Sequence, residues 1–133
     1  MKPPTAITVI LCADEEVHTL YAIWKALRSE GFTVLTAANG VAALEIARKH
    51  PGPIALFITS IDLPRMSGLE LSEAIKAERR ETKVLLMSRD VRESVQASIP
   101  GLPFIQKPFT ATALRETVMA VLGSSTAQEL SMP

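Results

Sequence analysis

Four places along the chain carry side chains able to do chemistry. Asp14, Glu15 and Glu16 follow the apolar run "AITVILC" (6–12). Ser60 ends the run "IALFITS" (54–60), and Ser88 ends "KVLLMS" (83–88). Lys107 follows the short run "PFIQ" (103–106) and begins Lys107-Pro108-Phe109. Ser60 raises the sharpest question. The stretch "SIDLPRMSG" (60–68) places Pro64, Met66 and Gly68 after it, a spacing suited to hold one reactive side chain at the tip of a strand. Yet a serine hydroxyl is protonated at neutral pH and needs a neighbouring base to become a nucleophile. His18 and His50, the two histidines, fall on or at the end of helical segments, away from the strand tips. Plainer roles stay open for each residue. Asp14 suits a helix N-cap, Ser88 a turn at a strand end, and Lys107 a solvated surface position.

The segments that must position these residues alternate between two kinds. The runs 6–12, 32–38, 54–60, 83–88 and 103–106 are short, β-rich and mostly apolar without alternation, as strands covered on both faces should be. Between them lie helical patterns. Val17, Leu20, Tyr21, Trp24 and Leu27 repeat at helical spacing before Gly31, and this spacing predicts a core-facing stripe in which Tyr21 and Trp24 are core, not a ligand cage. Val41, Leu44 and Ala47 mark a second helix, opened by Asn39-Gly40 and closed before Pro51; Leu71, Ala74 and Ile75 mark a third. Ser67 and Glu70 have capping-box spacing at its start. A short, weak helix is expected over 91–99, and a last one, capped near Thr110, through Leu114, Val118, Val121 and Leu122. Strand–helix units in succession imply an α/β fold, a doubly wound parallel sheet with right-handed crossovers. In such a sheet ligands gather outside the carboxyl ends of the strands, where Asp14, Ser60, Ser88 and Lys107 all fall.

At 133 residues the chain fits one domain, here 1–122, with 123–133 read as a polar, frayed tail or linker remnant. Fourteen basic and fourteen acidic residues cancel, which removes the electrostatic drive toward nucleic acid and anionic membranes. The one cysteine, Cys12, cannot form an internal disulfide, and no apolar segment reaches the ~18 residues of a membrane span. A cytoplasmic location is expected, with Cys12 a small core residue.

In order along the chain, "ADEE" (13–16), "SIDLPRMSG" (60–68), "MS" (87–88) and "KPF" (107–109), with "NGVAALEIA" (39–47), resemble the marks of response-regulator receiver domains of bacterial two-component signalling. The resemblance runs from about residue 6 to residue 122. It implies a flavodoxin-like (βα)5 receiver fold with strand order 2-1-3-4-5. It also implies a pocket in which an aspartate ending the third strand takes a phosphoryl group from a phosphohistidine. A carboxylate needs no base for this and yields a labile acyl phosphate, with Mg²⁺ neutralising the transferred group. In the family the lysine pairs with the phosphoryl oxygens. The hydroxyl ending the fourth strand binds the phosphoryl, and an aromatic residue three before the lysine responds.

The chain departs from that pattern where it matters most. Four residues before Pro64 stands Ser60 in the acceptor's place, and counting along "LCADEE" puts Ala13 at the first acidic position and Asp14 at the second. Two carboxylates are thus expected to be missing. The expected pocket is Asp14, Ser60, Ser88 and Lys107, with Ser88 and Phe104 as switch residues and a weak or lost metal site at Asp14 and Glu15. Lys107 is expected to pair with Asp14, Ser60 and Ser88 adding hydrogen bonds. The stretch from Ser88 to Phe104 is shorter than usual, which alters the surface that often binds partners. The expected function is a degenerate receiver, without catalysis or resident cofactor, acting through a sensor histidine kinase, an output domain or a second copy. The alternative is a receiver phosphorylated at Asp62 or Ser60. Other readings lack their marks: there is no Gly-rich phosphate loop, G-x-S-x-G elbow or metal cluster, and "CADEE" would repel a flavin phosphate.

Overall fold

Strand β1 (Val9–Ala13) shows why the sheet must be covered on both sides. Its five residues are all buried, and successive side chains point to opposite faces. Val9, Leu11 and Ala13 join one core cluster, with Ala43, Ala47, Leu71 and Ile75. Ile10 and Cys12 join the other, with Leu20, Ile23, Leu27, Leu114 and Val118. The computed structural model describes residues 7–91 and 101–131, with side chains as far as Gly123. The remaining strands are β2 (Thr33–Ala37), β3 (Leu56–Ser60), β4 (Lys83–Ser88) and β5 (Phe104–Gln106). They form one sheet in the order β2-β1-β3-β4-β5, every neighbouring pair parallel. This is the doubly wound order that the resemblance implies. The helices are α1 (Val17–Arg28), α2 (Gly40–Lys49), α3 (Gly68–Glu78) and, last, α4 (Ala111–Ser131). Burial, and after it the charge of Asp14, push the Cys12 thiol well above its usual range, so it stays an unreactive core group.

The helix starts follow their local chemistry. Asn39 Oδ1 accepts from the Ala42 amide at 2.8 Å, and Thr110 Oγ1 from the Ala113 amide at 3.0 Å. Ser67 and Glu70 form a complete capping box. Each such cap is worth about 1 kcal/mol.

Three expectations are corrected or fall outside the described residues. The core-facing stripe of α1 is Leu20, Ile23, Ala26 and Leu27, whereas Val17 and Tyr21 are 69% and 59% exposed and Trp24 is half-buried. The helix carries two overlapping apolar stripes, and the one through Ile23 and Ala26 packs into the core cluster with Ile10, Ile58 and Val118. The last helix does not stop near Leu122 but continues to Ser131, so 123–131 is helical. No proline interrupts "GSSTAQELS", and extending a helix already nucleated costs little. The helix expected over 91–99 lies, apart from Val91, outside the described residues.

Candidate functional site

Asp14 sets the level of the site. Its amide donates to the Ala37 carbonyl at 3.1 Å, which carries the β1–β2 pairing one residue past the strand. Strand alternation then turns its side chain away from that of Ala13, which is in the core with Leu11 and Ala37. A carboxylate at position 13 would therefore be in apolar packing. Position 13 belongs to the core and not to the pocket, where the count on the sequence had set it; the carboxylates that line the pocket are those of Asp14, Glu15, Glu16 and Asp62. Asp14 Oδ1 also accepts from the Glu16 amide at 2.9 Å, a local turn that directs the chain into α1.

Lys107 comes from the loop after β5, where the Lys107–Pro108 peptide is cis. Its amide donates to the Ser88 carbonyl at 2.8 Å, which ties the loop to the tip of β4. The side chain is buried, and Nζ lies 2.5 Å from Asp14 Oδ2. Oδ2 nevertheless has no hydrogen bond of good geometry among the described residues. The contact is an ion pair and not a well-directed hydrogen bond, because opposite charges at that separation attract whatever the angle. Nζ is also 3.5 Å from Glu16 Oε1.

Glu16 and Arg89 close one side. Arg89 Nη2 donates to both carboxylate oxygens of Glu16 at 2.8 Å. These hydrogen bonds, and behind them the charges of Arg89 and Lys107 and the Thr19 hydroxyl, hold the Glu16 carboxyl below its usual range against a smaller desolvation effect. Sequence reasoning placed Glu16 in the acidic cluster but gave Arg89 no role. Its signal was its position, directly after the hydroxyl that ends β4.

Ser60 is buried and donates to the Asp62 carbonyl at 3.4 Å, a long contact. Ser88 Oγ accepts from the Asp90 amide at 3.0 Å. Each hydroxyl is thus engaged with local backbone, and the hydrogen bonds expected from them to the Lys107–Asp14 pair are not among those of the described residues. Glu16 takes that place. Asp62 is exposed at the rim of the shared pocket, a space of about 440 Å³ also lined by Asp14, Glu15, Ser60, Ser88 and Lys107. Gly68 fits close beneath: a Cβ there would collide with the Ser60 carbonyl oxygen. Phe104 is level with Leu86 across the β4–β5 pair, two residues below Gln106, the partner of Ser88. His18 is not remote, as expected, but lines a neighbouring groove with Arg89, Lys107 and Phe109. It does not line the pocket that holds Ser60.

The donor set fits Mg²⁺ poorly. An ion of this kind is held by one or two carboxylates backed by phosphate. Here an ammonium lies against Asp14, Glu15 is exposed, and position 60 holds an alcohol. No three His, Cys, Asp or Glu side chains cluster as a metal site among the described residues. No helix of the described chain is long and apolar enough to cross a membrane.

Residues 10–119 match the family model of the response regulator receiver domain. The chain is 30% identical over 118 residues to the sensor kinase CckA of Brucella abortus, covering 86% of this chain and 12% of the kinase's length. It is 31% identical over 117 residues to the chemotaxis protein CheY of Pseudomonas aeruginosa, covering 82% and 91%. The receiver domain protein of Methanospirillum hungatei superposes with a TM-score of 0.80 at 25% identity, covering 92% of this chain and 99% of that one.

Proposed function

The chain belongs to the response regulator receiver family, and on that premise we propose that it is a receiver module of a two-component or phosphorelay system that signals without being phosphorylated. The observation that carries this is the pair at the pocket's centre. Lys107, the residue that would meet phosphoryl oxygens, is buried against Asp14. Beside it stands Ser60, whose hydroxyl donates to the Asp62 backbone carbonyl and to no side chain among the described residues. The cation that a phosphoryl group would recruit is already neutralised, and the nucleophile that would receive the group is an alcohol. The Lys107–Asp14 pair joins the tip of β1 to the loop after β5, so the pocket is held in one arrangement with no ligand. Partners, a sensor histidine kinase or an output domain, would then read a fixed surface by protein–protein contact.

A second reading is favoured by the place of Asp62, an exposed carboxylate on the rim of the same pocket. It would make the chain a receiver with a displaced acceptor. Incubation with acetyl phosphate and Mg²⁺, followed by intact mass, separates the readings. An unchanged mass is the expected result. A gain of one phosphoryl group that disappears in Asp62→Asn would establish the second reading, and one that survives acid and disappears in Ser60→Ala would assign a phosphoserine.

A further inference from the structure

Helix α1 carries a stripe that the described residues leave largely uncovered. Val17, Tyr21, Trp24 and Arg28 follow one another at spacings of four, three and four residues, the a/d spacing of a helix that packs along another helix. Val17 and Tyr21 are largely exposed. Tyr21 stacks on Trp24 with ring centroids 5.9 Å apart, and the Arg28 guanidinium lies over the Trp24 ring at 5.1 Å. Beside the stripe, Leu20 and Thr36 complete an apolar groove of about 400 Å³. An aromatic pair held rigid beside a groove is the form of an interface anchor.

We propose that this stripe is the seam of a homodimer in which α1 lies antiparallel against α1 of a second copy. The charges along the helix select both occupant and direction. Lys25 and Arg28 stand in its last turn, and the exposed Glu15 stands just before its first, next to Glu16, which Arg89 already holds. With the two-fold axis near Tyr21, each Arg28 meets the acidic end of the other helix, and each aromatic pair faces the other's groove. The surface is self-complementary, as a two-fold contact requires. A parallel pairing would set Arg28 against Arg28 and is disfavoured by like charge. The stripe itself lies outside the pocket of Ser60, and Tyr21→Glu and Arg28→Glu test it without touching that pocket, whereas Glu15 is shared by the two surfaces.

Sedimentation equilibrium of the full chain, over micromolar to several hundred micromolar, tests it together with the emission of Trp24, the one tryptophan. The mass is expected to rise from one chain toward two as concentration increases, with the emission shifting to the blue over the same range. Tyr21→Glu, at an exposed position, should stay monomeric with unchanged circular dichroism. Arg28→Glu should weaken the dimer at least tenfold, and the double variant Glu15→Arg/Arg28→Glu should recover it. A chain that stays monomeric throughout, a dimer that survives Tyr21→Glu, or a double variant no better than Arg28→Glu would each overturn the proposal. In the first case the stripe belongs to a different partner.

Discussion

At the scale of single residues, the energetics of the pocket turn on a buried ion pair. Removing one member of such a pair leaves the other charge stranded, whereas replacing both with apolar groups of similar size is often close to neutral. Lys107→Ala is therefore expected to lower unfolding stability by about 3 kcal/mol. Lys107→Met combined with Asp14→Leu should recover most of the loss, as read by chemical denaturation in a double-mutant cycle. Additive effects would mean that the two side chains do not depend on each other. Glu16 gives a pH test. Its carboxyl titrates lower in the folded chain than the ordinary value, chiefly because Arg89 hydrogen-bonds it. A depressed carboxyl contributes stability that is present above the unfolded value and is lost as pH falls through the folded one. The difference in Tm between the wild type and Glu16→Gln should thus persist from neutral pH to about 5 and vanish only below the ordinary carboxylate range. A difference that disappears between pH 7 and 5 would contradict the Arg89 contact.

At the scale of elements, glycine separates two uses of the same residue. Gly68 begins α3 where a Cβ would run into the Ser60 carbonyl, so Gly68→Ala must displace the strand tip or the helix. A loss of about 3 kcal/mol is expected. Gly123 lies within α4, and a Cβ added there would meet nothing within 4 Å, so Gly123→Ala should add up to about 1 kcal/mol of helix stability. Paired thermal melts of the two variants check both signs. Much of the fold was legible in the residues. Unbroken apolar runs located the strands, and Ser67 with Glu70 fixed the start of α3, because these signals are local. What was not legible depended on facing. One residue of register decides whether a side chain enters the pocket or the core, and counting alone exchanged Ala13 for Asp14. In α1 the period identified a helix but could not say which of two overlapping stripes the sheet would take. The Arg89–Glu16 contact joins residues 73 apart in sequence, beyond the reach of any local pattern.

At the scale of the whole molecule, the fold brings Asp14, Ser60, Ser88 and Lys107 from four strand ends into one pocket, as the strand order requires. The described residues thus keep the five-stranded receiver sheet in its order, with an alcohol, Ser60, at the tip of β3. The exposed stripe of α1 belongs to a separate surface, beside the edge strand β2. A change at Tyr21 or Arg28 therefore reads assembly apart from the pocket, which Glu15 alone joins to that surface. Because the chain spans 12% of the Brucella kinase but 91% of the Pseudomonas CheY, the same domain serves as a segment of one relative and nearly the whole of the other. The measurement that bears most directly on the role of Ser60 sets the wild type beside Ser60→Asp, each given a phosphohistidine donor and Mg²⁺ and followed by intact mass over time. The wild type is expected to stay unmodified while Ser60→Asp gains one acid-labile phosphoryl group. A wild type that takes up the group as fast as Ser60→Asp would contradict a phosphorylation-independent receiver.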